Sequence, residues 1–143
     1  MAPLHPFLVH FPIALLTVGF FADILAWQRK TAAAEKVGWW NMVTGTAGLL
    51  FAVFSGLVSK DRTGVLTPAA TETLTTHGQF AFLTVACFLL LLSWRMRHRT
   101  ALPPSLTGVY LLLLGASLAL LWSTAWFGGE LVYLFGVGVS PAP

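Results

Sequence analysis

The sequence predicts an all-α fold, a bundle of four transmembrane helices running up and down, on three observations. The first is composition: 143 residues with 57% hydrophobic and 9% charged side chains and a mean hydropathy of +0.79 are too apolar for an ordinary soluble domain. The second is four long apolar stretches, about 7–27, 37–58, 77–94 (within a helix expected over 68–94) and 105–127, each close to the ~20 residues that cross a hydrocarbon layer ~30 Å thick. None alternates as a barrel strand does, and backbone groups in lipid must be satisfied within the segment, so each is expected to be a helix. The third is an internal echo: His10–Trp27, HFPIALLTVGFFADILAW, returns without a gap as His77–Trp94, HGQFAFLTVACFLLLLSW, with eight of eighteen positions identical. The chain reads as one membrane domain, 1–143, built from two parallel two-helix repeats related by an axis along the membrane normal.

The first helix carries Pro6 and Pro12 in its opening turns, which leaves two readings: a helix from near Pro6 that bends at Pro12, or a looser segment followed by a regular helix from Pro12. His5 and His10 are ~140° apart around an ideal helix and would not share a face if it were continuous. No Lys or Arg precedes this helix and no small-residue cleavage site follows it, which argues against a removable signal peptide. Asp23, near its far end, reads as an acid snorkelling toward interfacial water or toward Arg29 and Lys30. The second helix runs through Gly45, Gly48 and Gly56, small residues that let helices approach closely in lipid.

Thr67-Pro68 supplies an N-cap and first residue for the third helix, which starts before the membrane boundary and leaves Glu72 on an exposed turn and His77 inside the helix. Cys87 is the single cysteine and reads as a buried, inert thiol; with no C-x-x-C-H there is no covalent c-type haem attachment. His98 lies among arginines and reads as a solvated loop residue. The fourth helix is expected to stop at Gly128-Gly129, leaving 128–143 as a short outer segment.

Charge sets the expected orientation. The loops after the first and third helices carry Arg29, Lys30, Lys36, Arg95, Arg97 and Arg99, against Lys60 and Arg62 on the opposite side. Six against two puts those loops in the cytoplasm and both termini outside. The net charge of +3 is then a topogenic signal rather than a nucleic-acid-binding patch.

Five of the repeated positions, His10, Ala14, Thr17, Phe21 and Leu25 with their counterparts His77, Ala81, Thr84, Phe88 and Leu92, fall on one helical stripe headed by a histidine. Each histidine precedes its tryptophan by about 25 Å of helix at ~1.5 Å per residue, so the two are expected at one depth. The first and third helices sit on a bundle diagonal, roughly 11–14 Å apart, which leaves space for one metal ion between two inward imidazoles. A six-coordinate b-type haem iron is held in this way, with His10 and His77 as axial ligands. Ala14 and Ala81 are small enough to admit a porphyrin edge, and Phe21 and Phe88 would close its floor. Arg62, Lys60 and His5 are available for propionates, which must face water. Taken alone, the Ala, Thr and Phe positions are also ordinary packing residues.

The N-terminal HPFLVHFPIALL, His77 at the head of the third helix and the C-terminal GGELVYLFGVGV resemble the signature of a family of small bacterial membrane proteins known as domain of unknown function 2231. The resemblance covers essentially the whole chain and carries over His5, His10, His77, Gly128, Gly129 and Glu130 as motif positions. It implies a bacterial inner-membrane location, and all these motif positions fall on the side that the loop charges place outside, the periplasmic side. It also implies a redox context, since some relatives are joined to c-type cytochrome or iron–sulfur modules.

The expected function is therefore membrane-embedded electron transfer through one b-type haem, between the quinone pool and a periplasmic carrier, alone or as a subunit of a larger respiratory or photosynthetic complex. Nothing in the chain looks like a complete catalytic site, so an electron carrier is favoured over an enzyme. Two other classes stay open. One is a copper or zinc site made by His5, His10, His77 and Glu130, or a quinone-binding protein. The other is a cofactor-free structural subunit packing through its glycine faces.

Overall fold

The computed structural model describes residues 4–60, 64–98 and 103–138. They form five helices and, among the described residues, no strand: α1 (Leu4–Leu8), α2 (His10–Arg29), α3 (Ala32–Lys60), α4 (Pro68–Arg97) and α5 (Pro104–Tyr133). Four are long and apolar enough to cross a membrane. Pro12 explains the division of the first span. It has no amide hydrogen for the Leu8 carbonyl, and its ring crowds that oxygen. The helix begins at Leu4 and is interrupted at Val9, whose N–H returns 3.2 Å to the His5 carbonyl.

α2 packs on α3 and α5, and α4 packs on α5 and α3, so α2 and α4 occupy one diagonal of the bundle and α3 and α5 the other; α1 lies against α3. Neighbours are antiparallel: His5, at the start of the first hairpin, meets Ala52 and Ser55 late in α3, while Asp23 lies on Gly38 early in α3. Close packing at the glycines is realised. A Cβ at Gly45 would fall 2.6 Å from Leu16 Cγ, and one at Gly48 would fall 3.4 Å from Pro12 Cβ. Leu16, Phe88, Tyr110, Leu114 and Leu118 fill the centre. Thr67 caps α4 as expected, its backbone extended and its Oγ1 accepting the Ala70 N–H at 3.2 Å.

Several boundaries differ from expectation. α3 begins at Ala32 rather than near 37, which makes Lys36 a helix residue rather than a loop charge. α5 passes through Gly128-Gly129 and runs to Tyr133, so the first part of the expected outer segment 128–143 is helix. Interior glycine costs a helix only about 1 kcal/mol, and Gly128 is needed because the His77 imidazole lies over it: a Cβ there would sit 3.1 Å from Cε1. The chain turns away at Gly136, which takes φ 64° and returns its N–H to the Val132 carbonyl. α4 continues to Arg97, which makes Arg95 a helix residue rather than a loop charge; Arg99 lies outside the described residues.

The inward stripe is also corrected for the first helix. On α4, Thr84 and Phe88 are buried and His77, Ala81 and Leu92 half-buried, but on α2 His10, Ala14, Phe21 and Leu25 are exposed on the lipid side. The residues of α2 that point inward are Pro12, Leu16, Gly19 and Asp23, and they correspond to Thr84, Phe88, Leu91 and Arg95 of α4. Buried positions thus recur at the separation of Asp23 from Arg95, 72 residues, and not at that of His10 from His77. The same spacing relates α3 to α5, where Gly38, Met42, Gly45, Thr46, Leu49 and Ala52 correspond to Tyr110, Leu114, Ser117, Leu118, Leu121 and Thr124. The His10/His77 echo aligns apolar side chains well but turns α2 away from the bundle axis.

Candidate functional site

The spacing of the buried positions joins His77 to His5 rather than to His10. Their rings, one on α1 at the head of the first span and one on α4, meet 6.2 Å between centroids and 79° between planes. His5 Nδ1 lies 2.9 Å from the Ala52 carbonyl and 3.0 Å from Ser55 Oγ, and His77 Nδ1 lies 3.0 Å from the Thr124 carbonyl. A carbonyl only accepts, so Nδ1 of each ring carries its hydrogen and Nε2 is left with a lone pair; this tautomer is assigned from the bonding network. A histidine that ligates a metal is oriented in the same way, by donating its other ring N–H to a carbonyl. Ala52 and Thr124 are themselves related by the buried spacing, as are Gly56 and Gly128, the glycines against which the two imidazoles rest. A Cβ at Gly56 would stand 3.0 Å from His5 Cε1, so each ring uses the space a side chain would otherwise fill.

The other expected site residues disperse. His10 and Ala14 are exposed, and Ala81 is half-buried below His77. Glu130 accepts the Trp126 indole N–H at 3.0 Å, and no group of three or more His, Cys, Asp or Glu side chains gathers among the described residues. The four-residue set His5, His10, His77 and Glu130 is therefore not assembled, because five residues of helical phase put His10 on another face from His5. Lys60 ends α3 on an exposed surface, and Arg62 lies outside the described residues. Thr17 back-bonds to the Ile13 carbonyl at 2.7 Å as a helical threonine can, whereas Thr84 instead reaches across to Thr124 Oγ1 at 3.0 Å. Cys87 is half-buried and free. His98 is half-buried too, and caps α4 through its backbone N–H.

At the opposite end of the same diagonal lies a cluster that sequence reasoning misses. Asp23 is 7% exposed and, instead of snorkelling to Arg29 or Lys30, forms an ion pair with Arg95, itself 7% exposed. Arg95 also donates to Tyr110 Oη at 3.0 Å, and Tyr110 donates to Asp23 Oδ2 at 3.3 Å. The guanidinium stands 5.8 Å from the Trp39 ring and 5.5 Å from the Tyr110 ring, inside cation–π range. Gly38 leaves the room for the carboxylate: a Cβ there would collide with Asp23 Oδ1. A signal for this cluster is present in the sequence. Asp23 follows His5, and Arg95 follows His77, by the same interval, about five whole helical turns.

An all-helical bundle with four candidate spans, holding one polar pair at each end of its diagonal, defines a polytopic helical membrane protein. Residues 1–141 match the family described as predicted membrane protein (DUF2231), and the chain belongs to that family. No curated protein and no solved structure gives a match.

Proposed function

We propose that this protein is a membrane-embedded electron carrier that holds one b-type haem between His5 and His77. The observation that carries the reading is the 6.2 Å separation of two imidazoles, each with Nδ1 engaged by a helix carbonyl and Nε2 free to ligate. With metal–nitrogen bonds of ~2 Å, two axial imidazoles on one ion bring their ring centroids to about 6 Å.

Donor number selects among metals. Structural zinc wants four protein ligands and catalytic zinc three, and tetragonal copper wants a similarly filled square; a haem iron wants two from the protein because the porphyrin supplies the rest. Held by His5 and His77, such a group would supply outer-sphere electron transfer rather than oxygen activation. The chain's own part is to fix the tautomer of each imidazole, to hold the two rings level and to surround them with helices. The charge bias of the loops supports an outer, periplasmic position for this end, with electrons exchanged between the quinone pool and a carrier outside.

The test is the absorbance spectrum of protein purified from cells with ample haem supply, oxidised and reduced. We expect a Soret band that is lost in His5→Ala and in His77→Ala and kept in His10→Ala. A colourless, iron-free protein under those conditions sinks the reading. Loss of the band in His10→Ala alone would return the ligand to the position the echo indicated.

A further inference from the structure

We propose that Asp23 and Arg95 are positioning residues for the histidine pair: their ion pair sets the axial register at which the two hairpins dock, and so decides that His5 and His77 stand level. The inference rests on the proposed two-histidine site and deepens it.

Four observations carry it. The molecule is two hairpins, α2/α3 and α4/α5, each closed internally by intimate contacts. Gly38, Gly45 and Gly48 of α3 receive Asp23, Leu16 and Pro12 of α2, and His77 of α4 rests on Gly128 of α5. Next, side-chain hydrogen bonds between the hairpins converge on one place: Arg95 to Asp23, Arg95 to the Glu35 carbonyl at 3.4 Å, and Tyr110 to Asp23. Outside this cluster, Trp122 reaches Thr17 at 3.3 Å. Third, the ion pair and the histidine pair use the same two diagonal spans, which do not pack directly on each other. The Arg95 guanidinium at one end and the two imidazoles at the other reach across the gap. Fourth, the distance along the chain from histidine to charge is the same in both halves, from His5 to Asp23 and from His77 to Arg95.

Apolar contact between helices gives little register in lipid, because lipid tails are as apolar as the side chains they replace; polar bonds and close packing specify the docking. A hairpin slid by one residue along its partner moves ~1.5 Å, which an apolar surface tolerates and a guanidinium–carboxylate bond does not. Since both spans hold charge and imidazole at the same interval, matching the charges at one end matches the imidazoles at the other, roughly 27 Å away.

The experiment reads the histidine end without haem. In a Cys87→Ser background, His5→Cys and His77→Cys are joined by a short bifunctional thiol reagent, and the cross-linked fraction is measured in membranes. We expect efficient cross-linking with the ion pair intact, at least a several-fold fall on adding Asp23→Ala or Arg95→Ala, and partial recovery with the conservative Asp23→Glu. If the single variants do not accumulate, Asp23→Asn with Arg95→Gln removes the ion pair without stranding a charge, and the same fall is expected. In the histidine-containing protein, the same charge variants should convert a low-spin, six-coordinate haem spectrum partly to five-coordinate. Unchanged cross-linking in folded protein lacking the ion pair overturns the proposal. Cross-linking that depends on the ion pair in a protein that never binds haem keeps the register role and rejects the haem reading alone.

Discussion

His5 and His77 meet with ring centroids 6.2 Å apart, and each is held through Nδ1 by a carbonyl 47 residues further along the chain. The two halves of the site thus repeat one local arrangement: a histidine on a diagonal span, a carbonyl on the next helix, and a glycine one turn beyond that carbonyl.

The glycines give a matched pair of predictions. Gly56→Ala and Gly128→Ala each place a methyl 3.0–3.1 Å from the Cε1 of an imidazole, so each should displace its ring. If the proposed haem is bound, their effects on its Soret band and midpoint potential should be alike. Gly78→Ala meets nothing within 4 Å and should instead stabilise α4 by up to about 1 kcal/mol through helix propensity alone. A redox titration beside an unfolding curve in detergent checks all three, and a Gly128→Ala protein indistinguishable from the parent would count against the ring position.

Breaking the buried ion pair should be expensive. Asp23→Ala strands the Arg95 guanidinium, and a cost of about 3–5 kcal/mol is expected. Asp23→Leu with Arg95→Met leaves no stranded charge and should be more stable than either single change. Double-mutant-cycle unfolding measurements decide this, and additivity of the two single effects would show that the pair is not coupled.

Gly38→Ala should imitate the loss of Asp23 without touching a charge. Its methyl would overlap Asp23 Oδ1, so the carboxylate must leave Arg95 and Tyr110 or the α2/α3 contact must open. We expect destabilisation of about 1–3 kcal/mol, the range for disturbing a buried hydrogen-bonded group. Gly108→Ala, with nothing within 4 Å, is the matched control.

Tyr110→Phe removes the hydroxyl that accepts from Arg95 and donates to Asp23 while keeping the ring packed in the core. A loss of about 1–2 kcal/mol is expected, below that of Asp23→Ala because the ion pair survives. Equal losses in the two variants would mean that the hydroxyl, not the ion pair, holds the cluster.

Helix ends offer smaller, local tests. Thr67→Ala deletes the N-cap bond to Ala70 and should cost about 1 kcal/mol. Gly136→Ala forces a side chain into φ 64° and should cost a similar amount. Hydrogen exchange should show the changes confined to the first turn of α4 and the last of α5.

Much of the fold is legible in the sequence because spanning a membrane leaves a plain mark: stretches of about 20 apolar residues separated by polar turns. The N-cap at Thr67, the packing glycines Gly45 and Gly48 and the diagonal relation of the histidine-bearing spans are readable for the same reason, since each follows from a local rule. The inward face is not. In a four-helix bundle the outer surface meets lipid, so Phe21 and Leu25 are as apolar outside as Leu16 and Phe88 are inside, and no pattern of hydropathy tells the two faces apart. The echo draws on that ambiguity: it pairs His10 with His77 because similar apolar side chains align, not because the helices share a phase.

The sequence alone thus determined that the chain makes four helices able to cross a membrane, that histidines stand at one end of the first and third spans, and that Gly45 and Gly48 mark places of close approach. Tertiary structure decided which histidine faces the axis, because the packing of the first span on α3 carries His5 to the Ala52 carbonyl and leaves His10 on another face. It also decided the fate of Asp23 and Arg95. Residues on two different spans become partners only when both hairpins have folded and docked, and a buried charge has no low-energy alternative to the opposite charge brought beside it.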